Sequence, residues 1–181
     1  MNNIRHFLSH YPQLAENVWI DDSAVVIGEA TLAENVSVWC GVVIRADVNN
    51  IIIGAGSNIQ DLSMLHVSRK TADKPMGSPL VIGENVTVGH HVNLHGCTIG
   101  NRVLIGIGCI VLDDAVIEDD VILAAGSLVP PRKTLKSGFM YMGTPAKAIR
   151  ELTLAEKNSI LENAQHYQNL AKQHQQSIHT E

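Results

Sequence analysis

Residues 82–129 read IGENVT VGHHVN LHGCT IGNRVL IGIGCI VLDDAV IEDDVI LAAGSL V, divided so that each group opens on an aliphatic residue. Ile82, Val88, Leu94, Ile99, Ile105, Val111, Ile117, Leu123 and Val129 return almost every six positions, with one five-residue step from Leu94 to Ile99. Small residues follow many of them (Gly83, Gly89, Gly100, Gly106, Ala124), and a small or β-branched residue stands four places on, as at Val86, Val92 and Cys109. The same beat runs through Ile20, Val26, Leu32, Val38 and Ile44 and resumes at Ile53, Ile59 and Leu65. A period of six is neither the 3.6 of an amphipathic helix nor the strict alternation of a hairpin. It arises when each short strand sends one side chain into a common interior and then turns a corner at a small residue. Three such strands close a triangular coil of about 18 residues, and stacked coils bury a continuous aliphatic column. The fold class is therefore all-β, a parallel β-helix of hexapeptide repeats.

Outward from that stretch, the beat slips near Asn49 to Ile52, and residues 67–79 form a polar, turn-rich loop thrown out from the coil. The coil is expected to end near Val129-Pro130-Pro131, and residues 1–150 are read as the β-helix domain. Residues 151–181 are read as a C-terminal amphipathic α-helix and a polar tail. Thr153 and Glu156 make a capping box, Ile160, Leu161, Ala164, Tyr167, Leu170 and Ala171 form one stripe, and the tail from Gln173 should fray.

The bulk numbers narrow the function. A chain of 181 residues fits one domain, with only 4% aromatics against abundant Ile, Val and Leu, as thin stacked strands require. Its net charge of -5 and pI near 6.0 argue against nucleic acid, whose phosphates demand a basic face. No apolar run approaches the roughly 20 residues that span a bilayer, so no membrane partner is expected. Residues 1–13 lack the character of a signal peptide, and Cys40, Cys97 and Cys109 look like reduced, packed thiols; both point to the cytoplasm.

Three histidines carry the chemistry. His66 follows Leu65 and His95 follows Leu94, so both fill the slot just after an interior aliphatic. Their separation equals one coil plus roughly the length of the ejected loop, which stacks one imidazole on the other at about 4.8 Å. Such a pair can grip one ion at about 2.0–2.1 Å per bond. His90 precedes His95 by nearly one side of the triangle and cannot easily reach the same ion. A neighbouring copy could supply it, which predicts a homotrimer with three shared sites. Three imidazoles with an open fourth position describe catalytic rather than structural Zn2+, although other divalent transition metals also suit imidazole. His91 is read as solvated, and His6, His10, His166, His174 and His179 as incidental.

The run Ile44-Arg45-Ala46-Asp47, then Asn58-Ile59-Gln60-Asp61 and Leu65-His66, then Gly89-His90 and Leu94-His95-Gly96, resembles the motif series of the γ-class carbonic anhydrases over about residues 20–150. That resemblance implies a left-handed β-helix trimer that hydrates CO2 reversibly to bicarbonate at zinc sites between subunits. By position, His66 and His95 resemble the ligands from one subunit and His90 the ligand from the next. Arg45 and Asp47 resemble the interface ion pair, Gln60 the residue that orients zinc-bound hydroxide, and Asn58 and Asp61 its polar neighbours. Tyr141, ahead of Met142-Gly143-Thr144-Pro145, resembles the tyrosine that bacterial members place near the metal. Where the archetype carries shuttle glutamates, this chain has Val48 and a loop with Asp73 among Arg69, Lys70 and Lys74, leaving His91 as a candidate proton carrier.

Other readings compete. Gly143-Thr144-Pro145-Ala146-Lys147 also closes the β-helix of hexapeptide acyltransferases, which use acetyl-CoA and a histidine base without metal. A non-catalytic zinc-binding scaffold and a thioesterase-like relative are the remaining alternatives.

Overall fold

The computed structural model describes residues 3–178. Every aliphatic of the six-residue beat from Val26 to Val129 is at most 1% exposed, so the periodic positions are the core. They sort into three columns, one per face of a prism. Ile44, Leu65, Leu94, Val111 and Val129 stack on the first face. Leu32, Ile53, Ile82, Ile99, Ile117 and Leu135 stack on the second. Val38, Ile59, Val88, Ile105, Leu123 and Tyr141 stack on the third. Within the coils each strand pairs in parallel with the one a coil away, and most are only two or three residues long. The chain is a left-handed parallel β-helix with one C-terminal α-helix.

The coil does not stop at Val129-Pro130-Pro131. Two further steps of the beat land on Leu135 and Tyr141, both in the core cluster. The prolines occupy a corner between the strands Leu128–Val129 and Thr134–Leu135, followed by Arg132 at φ 62°. Leu112, one coil below Pro130, donates its N–H to the Val129 carbonyl, but Leu128–Val129 is the last rung of the first face, so no strand above asks Pro130 for an N–H. The end is closed by the strand Lys147–Glu151, which reverses direction and pairs antiparallel with Phe139–Met142.

Both breaks in the beat have structural meaning. The long strand Val43–Ile53 crosses the corner from the first face to the second, and its pairing jumps from Gly28↔Ala46 to Ala30↔Ile51. The surplus residues after Ala46 bulge outward and carry Asp47 toward the end of the first face. Gly28 permits this: its φ is 80° and a Cβ there would collide with the Ala46 carbonyl oxygen. The loop of residues 68–79 is closed by a Ser68–Ser78 bridge and pinned by Asn49 Nδ2, which donates to the carbonyls of Ser68 (3.0 Å) and Met76 (2.8 Å).

The helix Leu154–Ile178, here α1, begins at a capping box: the Glu156 amide donates to Thr153 Oγ1 and the Thr153 amide to Glu156 Oε2. It lies along the third face, burying Ile160, Ala164 and Ala171 over the strands that begin at Trp19, Ser37, Asn58 and Thr87. Trp19 and Trp39 meet at 4.6 Å between ring centroids, and His174 packs on them at 5.4 and 5.1 Å. His174 is thus part of the helix anchorage rather than incidental. Residues 173–178 are helical where fraying was expected; residues 179–181, with His179, lie outside the described residues. Among the described residues no helix is long and apolar enough to cross a membrane.

Candidate metal centre

The strand Asn93–His95 lies directly on Met64–His66, with His95 paired to His66. The ejected loop absorbs the extra length between them, so two residues in the same slot meet one coil apart. Their rings are 5.0 Å apart at the centroids, and His66 Nδ1 faces His95 Nε2 at 3.1 Å. Two imidazole nitrogens bound tetrahedrally to one zinc would stand about 3.3 Å apart, so the pair fits that ion with little adjustment.

Each ring is held from behind by a carboxylate. His66 Nε2 lies 3.1 Å from Asp47 Oδ1, and Asp47 is itself clamped by Arg45, whose Nη1 donates to Oδ2 at 2.5 Å. His95 Nδ1 lies 2.5 Å from Asp113 Oδ1, and Ser68 Oγ donates to the other Asp113 oxygen at 2.6 Å. A carboxylate behind an imidazole sets its tautomer and orientation and raises its basicity as a ligand. Burial, with Arg45 and His95 nearby, holds the His66 imidazole below its ordinary pKa despite Asp47, and the neutral ring is the metal-binding form. Burial alone would raise the Asp47 and Asp113 carboxyls. Hydrogen bonds from Arg45 and His66 to the first, and from Ser68 and His95 to the second, outweigh it and hold both below the usual range. Gly96 makes room for this: at φ 53°, a Cβ would sit 2.6 Å from Asp113 Oδ1.

His90 stands elsewhere in the same chain. It precedes His91, which takes the left-handed corner (φ 56°) between the third and first faces, in line with Gly41, Leu62, Gly108 and Gly126. From that corner to His95 the backbone runs on the order of 13 Å. Among the described residues no group of three His, Cys, Asp or Glu is gathered to hold a metal ion within one chain. His90 has its own carboxylate: Nδ1 lies 2.8 Å from Asp61 Oδ2. It lines a groove of about 340 Å³ between the third face and α1, together with Gln60, Thr87, Leu104, Ile107, Asn163 and Tyr167. Gln60 Nε2 donates to Asn58 Oδ1 at 3.1 Å.

Arg45, Asp47, His66 and His95 are therefore one cluster, and Asn58, Gln60, Asp61 and His90 another. Tyr141 joins neither. It is the last rung of the third interior column, 6% exposed, its hydroxyl donating to the Lys136 carbonyl and accepting from the Lys136 amide. The tyrosine that reaches Gln60 is Tyr167 of α1; burial and the Asp61 charge push its phenol up while the hydrogen bond with Gln60 pulls it down. Asp113, Ser68 and Tyr167 also contact these two clusters, and the sequence alone had not singled them out. Asp113 had a signal, since it stands one coil length after His95. His91 is exposed, as expected of it.

The repeats are recognised by the model described as "Bacterial transferase hexapeptide (six repeats)", over residues 96–131. "Carbonic anhydrase" of Geobacillus kaustophilus is 38% identical over 169 residues, covering 90% of this chain and 89% of that one. "Gamma carbonic anhydrase 2, mitochondrial" of Arabidopsis thaliana is 42% identical over 163 residues, 90% of this chain and 58% of its own. The chain belongs to the γ-carbonic anhydrase-like family. Another family-wide match, "Protein YrdA" of Escherichia coli, is 55% identical over 164 residues, covering 91% and 89% of the two chains. In this γ-carbonic anhydrase-like chain the hexapeptide repeats build the prism.

Proposed function

We propose that three copies of this chain form a homotrimer whose zinc sites, each shared between neighbours, hydrate CO2 reversibly to bicarbonate. The observation that carries the reading is that all three candidate ligands own the same device, a carboxylate behind the imidazole: Asp47 for His66, Asp113 for His95, Asp61 for His90. Two of these units face each other within the chain, and the third lies on another corner. Three-fold closure would bring it to the pair of a neighbouring copy. His66, His95 and the neighbour's equivalent of His90 would hold the ion. Zinc supplies Lewis acidity that makes water a nucleophile at neutral pH.

The chain's own residues would do the rest. Arg45, held by Asp47, offers a guanidinium to the anionic product. Gln60, with Asn58 behind it, offers an amide to the reacting water and CO2. His91, at the corner beside His90, would be the proton carrier to buffer. Exposed Met64, Ile110, Leu62 and Ile107 at or beside the first face supply apolar surface for the subunit contact.

A second reading has one observation in its favour. His90 with Asp61, beside a groove walled by Leu104 and Ile107, could act as a base toward an acyl-CoA substrate. Metal analysis with stopped-flow CO2 hydration on the purified protein separates the two. Bound zinc with hydration lost in His66→Ala is the expected result. Acetyl-CoA binding by metal-free protein without hydration would overturn it.

A further inference from the structure

The outward-facing column of the third face changes character along its length. In register it runs Ser37, Asn58, Thr87, then Leu104, Ile122 and Met140. The lower three are roofed by α1, and Ser37 and Asn58 are 1% exposed and Thr87 0%. A polar side chain sealed under a helix costs free energy unless every group is bonded, and an apolar residue there would be cheaper. The same column accepts leucine and isoleucine one and two coils further on, so the architecture does not require a hydroxyl at residue 87.

The hydrogen bonds show what the hydroxyl does. Asn58 Nδ2 lies 3.0 Å from Thr87 Oγ1 and 3.5 Å from the Val86 carbonyl oxygen. A carbonyl can only accept, so the amino end of Asn58 must face this pair and its Oδ1 must face Gln60. Gln60 Nε2 donates to that oxygen at 3.1 Å, which turns its amino end toward Asn58 and its Oε1 away from it, and Gln60 lines the groove beside Tyr167. The reverse order would turn Asn58 Oδ1 toward the Val86 carbonyl oxygen, which already accepts from the Asn58 backbone amide at 2.9 Å, so two acceptors would face each other.

We propose that Thr87 is a positioning residue: through Asn58 it fixes which end of the Gln60 amide faces the reacting species beside His90. This rests on the carbonic anhydrase reading for its kinetic consequence but not for the relay itself. In zinc-loaded protein, Thr87→Val keeps the shape and removes the acceptor. The kcat for CO2 hydration should fall about 10- to 100-fold, as for other supporting residues around a metal, with KM little changed. Thr87→Ser should restore it. Independently of activity, the Gln60 side-chain amide signals in 15N–1H spectra should move in Thr87→Val toward those of a solvated glutamine and stay in place in Thr87→Ser. Unchanged kcat and unchanged Gln60 signals in the valine variant would overturn the proposal, as would a serine variant as impaired as valine. If the valine variant fails to fold, Thr87→Ala must lose and Thr87→Ser must keep the Gln60 signals. A wild type that binds zinc without hydrating CO2 would remove the catalytic reading, while the spectra still decide the relay.

Discussion

His95 Nδ1 and Asp113 Oδ1 lie 2.5 Å apart, joining residues one coil apart across the space that Gly96 leaves open. Supporting carboxylates of this kind typically contribute a factor of about 10 to 100 in metal affinity. Asp113→Asn should therefore weaken zinc binding by about that factor while the coil stays folded. Competition with a chromophoric chelator measures it, and wild-type affinity in the variant would show that Asp113 serves only the Ser68 loop.

Shared sites imply complementation. His66→Ala and His90→Ala homotrimers should each fail to bind zinc. Co-refolded in equal amounts, they should recover about one site in four, since a complete site needs intact His66 from one copy and intact His90 from its neighbour. Metal content of the mixture tests this, and no recovery would exclude a site built from two chains.

Acid should loosen the start of α1. The Arg150 guanidinium, then the Thr153 amide, hold the Glu156 carboxyl at about 2, below its ordinary 4.5. A carboxylate with a depressed folded value lends stability above the ordinary value and loses it as pH falls toward the folded one. The difference in thermal midpoint between wild type and Glu156→Gln should be full at neutral pH and close between pH 4.5 and about 2. A difference independent of pH would show that the capping box does not act through charge.

Ile105 is fully buried between Val88 and Leu123 in the third column. Ile105→Ala removes its side chain from a stack with no room to collapse and should cost about 2–5 kcal/mol in denaturant unfolding. A cost below about 1 kcal/mol would mean that the coils tighten to fill the gap.

Most of the fold was legible because a period of six leaves few alternatives, and it placed His66 over His95 correctly. Tyr141 shows the cost of setting that period aside. Its neighbours Met142-Gly143-Thr144-Pro145 suggested a site, yet counting two more steps from Val129 places it inside the prism. Tyr167 was visible only as part of an apolar stripe, since nothing in a helical pattern tells which face of a β-helix its hydroxyl will meet. Asp113 was one carboxylate among several near the corners, including Asp114, Asp119 and Asp120, and only the register of stacked coils singles it out.

Residues 68–79 leave the prism after the first imidazole and return one level higher, so the alignment of Leu65 with Leu94 depends on counting storeys rather than amino acids. Beyond Ser68, whose hydroxyl supports the Asp113 behind His95, the excursion can lengthen or shorten without moving either ring. A lineage could thus redesign the approach to the ion as freely as a gatehouse is rebuilt beside a standing tower.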